Sequence, residues 1–366
     1  MSQIQSEIVA GVGLITLDRP EALNALSLQM VIDLTAVFTD WRDDPKVEVV
    51  AIRGSNKRGV FGAFCAGGDI RFFHDAAIAN DPALEDFFTA EYSLNNLLYS
   101  YPKPYAAFMD GVIMGGGMGL AQGADLRIVS DRTKMAMPET NIGLFPDVGG
   151  GFFLSRTPGH LGEYLALTGQ MLIGSDALAA HLADGLVASE SMPELWASLT
   201  ANTQLSALQR FEQLSDLVSL PSPVSTPAWQ DPQIDTIFAL PTVMDMINAL
   251  EQAEGEWAAQ TLACLRQRSP LMLHVSLEQI RRGRQLTMAD DLRMERNIVH
   301  HCFHTKHLDR SGTSSETVEG IRALAVDKDN SPAWNPARIE DITSDMIEPF
   351  FTSPWPADQH PLKDLD

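Results

Sequence analysis

Met114-Gly115-Gly116-Gly117-Met118-Gly119-Leu120 lies between two apolar runs, Tyr105-Ala106-Ala107-Phe108-Met109 and Leu126-Arg127-Ile128-Val129-Ser130. Each run has the length and residue types of a buried strand. The segment between them predicts a tight turn and a short helix. Glycine costs a helix roughly 1 kcal/mol against alanine, so Gly115, Gly116, Gly117 and Gly119 call for another reason to be there. A sharp turn, close packing, or backbone amides aimed at a ligand would each supply one. Working outward, Ile4–Ala10 and Val12–Leu17 read as two strands joined at Gly11. Ser27 is placed to cap a helix over Leu28–Asp43, whose Val31, Leu34, Phe38 and Trp41 share one face. Val47–Arg53 then reads as another buried strand. This recurring strand, strand, helix order predicts an α/β or α+β core, with no internal sequence repeat.

Beyond it, Leu220–Pro232 carries Pro221, Pro223, Pro227 and Pro232 and reads as a linker or long loop. Val243–Glu251, Glu256–Gln267, Leu271–Arg282 and Met288–Thr305 have helical periodicity, and Thr313–Asp366 is irregular and acidic. The 366 residues are enough for two domains. The expected division is an α/β core over residues 1–195 and a mainly α-helical region over 196–366.

Composition narrows the function. The chain has 48 acidic and 26 basic side chains, a formal charge of −22, which argues against a nucleic-acid binder, since that would want a basic face. A small anionic ligand remains open, because a few local cations or amides can hold one phosphate. No apolar run approaches the roughly 18 residues of a membrane span, so no membrane partner is expected. Cys65, Cys264 and Cys302 are too scattered for a disulfide scaffold. The start has no basic or apolar leader pattern, so no cleaved segment is expected and the cytoplasm is the expected compartment.

Three more segments carry candidate chemistry. In Phe64-Cys65-Ala66-Gly67-Gly68-Asp69-Ile70-Arg71, small residues precede a helix start, which suits close approach of backbone to a ligand and suits a plain turn equally. In Met137-Pro138-Glu139-Thr140-Asn141-Ile142-Gly143-Leu144-Phe145-Pro146-Asp147-Val148-Gly149-Gly150-Gly151, two acids lie in an apolar stretch rich in glycine and proline. A loop there could bring Glu139 and Asp147 to one cavity, where apolar neighbours would raise their pKa values for acid–base work. The bland alternative has Glu139 in solvent and Asp147 capping a helix near Val148. Finally, His300, His304 and His307 are spaced to share a helical face. Without a His-Glu-x-x-His or Cys-x-x-Cys pattern, a polar face is the better reading and no metal is expected. Dinucleotide, P-loop and nucleophile-elbow patterns are absent.

Several of these pieces together resemble the crotonase, or enoyl-CoA hydratase/isomerase, superfamily. They are Leu17-Asp18-Arg19-Pro20 with Asn24-Ala25-Leu26, Cys65-Ala66-Gly67-Gly68-Asp69-Ile70, the glycines at 115–117, and Pro138-Glu139. A closer resemblance is to the 3-hydroxyisobutyryl-CoA hydrolases of that superfamily. It is carried by Glu91-Tyr92 with Leu94-Asn95-Asn96, by Gly143 through Gly150, by Ala166-Leu167-Thr168-Gly169, and by Glu319-Gly320-Ile321-Arg322-Ala323 with Asp327-Lys328-Asp329, Pro332, Trp334 and Pro336.

The resemblance implies a crotonase-like spiral of ββα units followed by a mainly helical C-terminal region. It implies an acyl-CoA substrate whose thioester carbonyl meets the amides of Gly68 and Gly116, with Ala66, Gly67 and Gly115 lining the same turns. It implies Glu139 as general base or nucleophile, Asp147 as a second acid, and Glu91 at the substrate's hydroxyl. Hydratases of the superfamily use a second glutamate just after the glycine run, where this chain has Gly119. That departure favours hydrolysis of a short branched 3-hydroxyacyl-CoA, 3-hydroxyisobutyryl-CoA from valine breakdown above all. A hydratase, an isomerase and a silent scaffold remain as alternatives. Coenzyme A would be part of the substrate, with no separate cofactor. Lys57, Arg58 and Arg71 could meet its phosphates or could be plain surface charges. Relatives form trimers or hexamers, which leaves a homo-oligomer open.

Overall fold

A computed structural model describes residues 3–219 and 231–366, so the linker expected at 220–232 lies almost wholly outside the described residues. The chain forms two compact units, each gathered from separated stretches. One comprises Met1–Gly68, Ser93–Ala136 and Met171–Ala228; the other comprises Asp69–Tyr92, Met137–Gln170 and Trp229–Asp366. The expected cut at residue 195 does not follow these units. It falls inside the helix Met192–Ala201, which, with the helix Ala207–Val218, buries its apolar face on the first unit's sheet.

Among the described residues the first unit holds ten strands: β1 (Ile4–Val9), β2 (Val12–Leu17), β3 (Val49–Asn56), β4 (Gly59–Val60), β5 (Tyr105–Met109), β6 (Val112–Met114), β7 (Leu126–Ser130), β8 (Lys134–Ala136), β9 (Leu172–Ile173) and β10 (Gly185–Val187). The large sheet runs β1-β2-β3-β5-β7-β10, with β4 paired to β3. The β1–β2 and β3–β4 pairs are antiparallel, and the other pairs of this sheet are parallel. A smaller sheet runs β6-β8-β9. Twice in succession, at β5–β6 and β7–β8, the chain lays one strand in the large sheet and the next in the small one. That is the spiral of ββα units that the family resemblance implies, with β6 and β8 too short to be read from periodicity.

Alternation within the parallel strands explains their unbroken apolar runs, because both faces are covered. One stripe, Val12, Leu14, Val49, Ala51, Ala106, Phe108, Leu126 and Ile128, packs on Trp196, Leu199, Phe211 and Leu214. Across the sheet lies the helix Leu28–Asp43, with Ser27 accepting the Met30 amide as its cap and Phe38 meeting Tyr105 edge-on at 5.1 to 5.3 Å from its aromatic neighbours. Gly13 is required here, since a Cβ would lie 2.4 Å from the Trp41 ring.

The second unit is mainly helical. Val243–Gln252, Pro270–Gly283 and Met288–Phe303 begin at Thr242, Ser269 and Thr287, each accepting the amide three residues on. The helix Glu256–Leu265 joins them, while the last fifty residues turn through short 3-10 and π segments. Among the described residues no helix is long and apolar enough to cross a membrane.

Candidate active site

In the first unit, two glycine turns meet, one after the isolated bridge residue Cys65 and the other after β6. Phe64 and Cys65 donate to Val112 O at 3.1 Å, and Met114 N donates back to Cys65 O at 3.0 Å. Gly67, at φ +101°, lies close enough that a Cβ would sit 3.1 Å from Met114 O and 3.6 Å from Gly116 N. Gly117 is packed on Cys65, where a Cβ would be 2.4 Å from its carbonyl oxygen. Ala66, Gly67, Gly68, Gly115 and Gly116 are thus brought together. Gly115 has φ +47°, and Gly116 opens the helix Gly116–Gln122, so its amide lies before the first intrahelical hydrogen bond. Among the described residues neither the Gly68 nor the Gly116 N–H donates to a backbone carbonyl.

Buried Asn24 anchors this arrangement. Its Nδ2 donates to Ser55 O at 2.8 Å and to Ala63 O and Phe64 O at 3.1 Å. Ala66 N donates to Leu23 O at 3.0 Å, and Leu26 N donates to Gly67 O at 2.8 Å. The Asn24-Ala25-Leu26 stretch therefore works as a splint for the turn carrying Gly68.

In the second unit, three acids are buried together: Glu91 is 2%, Glu139 6% and Asp147 5% exposed. Burial raises the Glu139 carboxyl well above the usual range, and the Asp147 charge raises it further. Burial likewise raises Glu91, helped by Asp147 and Glu139. Asp147 is pushed up to about 7 by burial, against the Tyr92 hydroxyl, which donates to Oδ2 at 2.9 Å and favours the ionised form. Glu91 Oε1 and Glu139 Oε2 have no hydrogen-bond partner. Buried polar atoms are rarely left so, which marks these oxygens as groups that receive a proton, a water or a ligand atom.

Both bland readings of this segment are corrected. Glu139 is out of solvent because it opens a 3-10 turn, Glu139–Ile142, held by other chain segments. Ser269 N donates to Thr140 O at 3.0 Å, and Thr317 Oγ1 donates to Gly143 O at 2.6 Å. Gly320 abuts the turn so closely that a Cβ would be 2.3 Å from Ile142 C. Asp147 does not cap the next helix, Gly150–Leu154, whose N-cap is Gly149. Glu295 fills that role instead, accepting Gly149 N at 2.7 Å and Gly151 N at 3.0 Å, while Asp291 accepts Phe152 N at 2.8 Å.

Sequence reading missed the roles of Tyr92, Gln279, Asp291 and Glu295. One signal existed: Asp291 and Glu295 fall within the apolar stripe Met288, Leu292, Ile298, Val299 and Cys302 of their helix. An acid inside such a stripe is buried and must find donors.

The three histidines do not share a helical face, because the helix ends at Phe303. His300 Nδ1 and His304 Nε2 lie 2.9 and 3.2 Å from Glu85 Oε1, whereas His307 Nε2 faces Met346 O at 3.0 Å. Glu85, His300 and His304 have donor atoms close enough to surround a cation. The guanidinium of Arg296 already pairs with the second Glu85 oxygen, and that fixed positive charge opposes a further cation. Of the cations considered for phosphate binding, Lys57 and Arg58 are exposed, and Arg71 donates to Ala325 O at 3.1 Å.

Residues 12–351 match the family described as enoyl-CoA hydratase/isomerase. The chain is 39% identical over 349 residues to the mitochondrial 3-hydroxyisobutyryl-CoA hydrolase of Xenopus tropicalis, covering 93% of this chain and 86% of that protein. It is 36% identical to 3-hydroxyisobutyryl-CoA hydrolase 1 of Arabidopsis thaliana, covering 96% and 91%. Among solved structures, a carnitinyl-CoA dehydratase from Mycobacterium thermoresistibile superposes with a TM-score of 0.88 at 35% identity, covering 100% of both chains. An enoyl-CoA hydratase from Rhodobacter sphaeroides superposes with a TM-score of 0.80 at 33% identity, covering 96% and 98%.

Proposed function

The chain belongs to the enoyl-CoA hydratase/isomerase family, and on that premise we propose that it hydrolyses a short branched 3-hydroxyacyl-CoA thioester, 3-hydroxyisobutyryl-CoA above all. The observation that carries this reading is the buried set Glu91, Glu139 and Asp147, with open carboxylate oxygens on Glu91 and Glu139. The amides of Gly68 and Gly116 polarise the thioester carbonyl and hold the oxyanion that follows. Glu139 takes a proton from water, the water oxygen bonds to the carbonyl carbon, and collapse of the tetrahedral species expels the CoA thiolate. Alternatively Glu139 attacks the carbonyl itself, and water then hydrolyses the mixed anhydride. A raised Glu139 pKa makes the ionised form a stronger base. Asp147, oriented by Tyr92, supplies or holds a proton beside it, and Glu91 accepts the substrate hydroxyl.

CoA thiolate is a good leaving group, so the reading needs no separate cofactor. Valine breakdown is the pathway, and the cytoplasm remains the proposed compartment; three free cysteines fit any reducing one. Self-association is compatible with this reading.

Hydration of an enoyl-CoA is the second reading, favoured by the names of the two structural neighbours. Against it stands Gly119, at the position where a second acid is needed. Thiol release from 3-hydroxyisobutyryl-CoA, run beside loss of enoyl absorbance from crotonyl-CoA, separates the two. Release without hydration supports the hydrolase; hydration without release overturns it.

A further inference from the structure

Asp291 and Glu295 take no part in the reaction just proposed, yet both are fully buried one turn apart on the helix Met288–Phe303. Ionising both would set two like charges side by side away from water. Burial and the nearby Asp291 charge both oppose ionisation of Glu295, so the two do not shed their protons independently. The donors around them are unequal. Glu295 receives Gly149 N, Gly151 N and Gln279 Nε2, the last at 2.9 Å. Asp291 receives Phe152 N on Oδ2, while no donor reaches Oδ1.

We propose that Asp291 and Glu295 hold one proton between them, on Asp291, and that the ionised Glu295 is a positioning residue that fixes the 146–152 turn and with it Asp147. Three observations converge on that turn. Gln279 Nε2 also donates to Pro146 O at 2.7 Å, bracing the residue before Asp147. Val148, a β-branched residue, is held at φ +57°, followed by Gly149 at φ +87°. Such a conformation persists only where the surroundings impose it. Gly151 leaves no room for a Cβ, which would sit 2.3 Å from Asp291 Oδ1. Other charged or titratable groups felt by the pair are Asp147 and Tyr92 on the Glu295 side and Arg156 on the Asp291 side.

The inference rests on the proposed hydrolysis for its kinetic arm only. In the full-length protein, Glu295→Gln should lower kcat for 3-hydroxyisobutyryl-CoA by about 100-fold with KM little changed, the scale of a misplaced catalytic group. Asp291→Asn, which keeps an N–H donor towards Glu295 and an acceptor for Phe152, should retain most turnover. Its infrared spectrum at neutral pH should lack one protonated-carboxyl band present in the wild type. Equal losses in the two variants, wild-type kcat in Glu295→Gln, or retention of every such band in Asp291→Asn would each overturn the proposal. A lowered melting temperature in Glu295→Gln with unchanged turnover per folded molecule would overturn it too. Should Glu295→Gln fail to fold, Gln279→Met removes the brace without a charge; unchanged kcat there counts against the proposal and a lowered kcat at constant KM supports it. A wild-type protein that releases no thiol would sink the hydrolase reading while leaving the infrared test of the shared proton intact.

Discussion

A carboxyl group removed from water is a poor anion, and that single fact organises the chemistry proposed for Glu139. Burial raises its pKa first, and the neighbouring Asp147 adds to the effect. Glu139→Gln keeps the shape and removes both the base and the need to shed a proton. Thiol release should fall by at least about 100-fold, while the melting temperature stays level or rises. Near-normal turnover in that variant would remove Glu139 from the mechanism. After one turnover in heavy-oxygen water, label in Glu139 itself marks the anhydride, because general-base hydrolysis places the water oxygen in the product acid alone. Tyr92 makes a second, signed test. Its hydroxyl is the donor that offsets burial at Asp147 Oδ2. In Tyr92→Phe the Asp147 carboxyl should move up from about 7, by about one unit for a lost hydrogen bond to a charged group. The limb of the kcat–pH profile that Asp147 governs should move to higher pH. A limb that stays or moves down would mean the tyrosine does not support the ionised acid.

At the scale of elements, glycine usage reports contact rather than flexibility. Gly117 lies inside the helix Gly116–Gln122, where alanine would favour helix by about 1 kcal/mol. Its Cβ would nonetheless meet the Cys65 carbonyl oxygen at 2.4 Å, an obstacle that is backbone and cannot rotate away. Gly117→Ala should therefore lower the melting temperature against its propensity gain. It should also lower kcat, on the ~10²-fold scale of a lost oxyanion donor, by forcing the Gly116 turn away from the Gly67-Gly68 turn. A more stable and fully active Gly117→Ala would show that the two turns need not touch. Elements of this kind were partly legible in the sequence. The helix Leu28–Asp43 with its Ser27 cap, and the strands Tyr105–Met109 and Leu126–Ser130, match their sequence-based limits, because long periodic or wholly apolar runs decide locally. The strands Val112–Met114 and Lys134–Ala136 did not, since three residues carry no period and their pairing is settled by distant partners. Glu139 and Asp147 stood out as acids in an apolar stretch. Their supports at Ser269, Gln279, Glu295 and Gly320 lie more than a hundred residues away, beyond any local pattern.

For the whole molecule, the unusual feature is the number of acids that folding takes out of water. Burial pushes Asp147, Asp291 and Glu316 each up to about 7, and pushes Glu91 and Glu139 well above the carboxylate range. In the unfolded chain these groups ionise near about 4. Between about pH 4 and 7 the native state therefore holds protons that the unfolded state has released, and stability must fall as pH rises through that window. This is the reverse of the ordinary salt-bridged acid. Glu85 is such an ordinary case: burial opposes its charge, but His300, His304 and Arg296 together hold its carboxyl below the usual range. Its contribution is lost only on strong acidification, outside the window. The excess of 48 acidic over 26 basic side chains acts in the same direction as the buried acids, since self-repulsion grows as carboxyls ionise. The melting temperature should accordingly be higher near about pH 5.5 than near about pH 8. The slope should be shallower in the Asp147→Asn and Asp291→Asn variants, each of which removes one group that folding protonates. A melting temperature that climbs steadily across that range in the wild type would mean that the buried acids are ionised in the native protein. The single proton assigned to Asp291 and Glu295 would then fall with them.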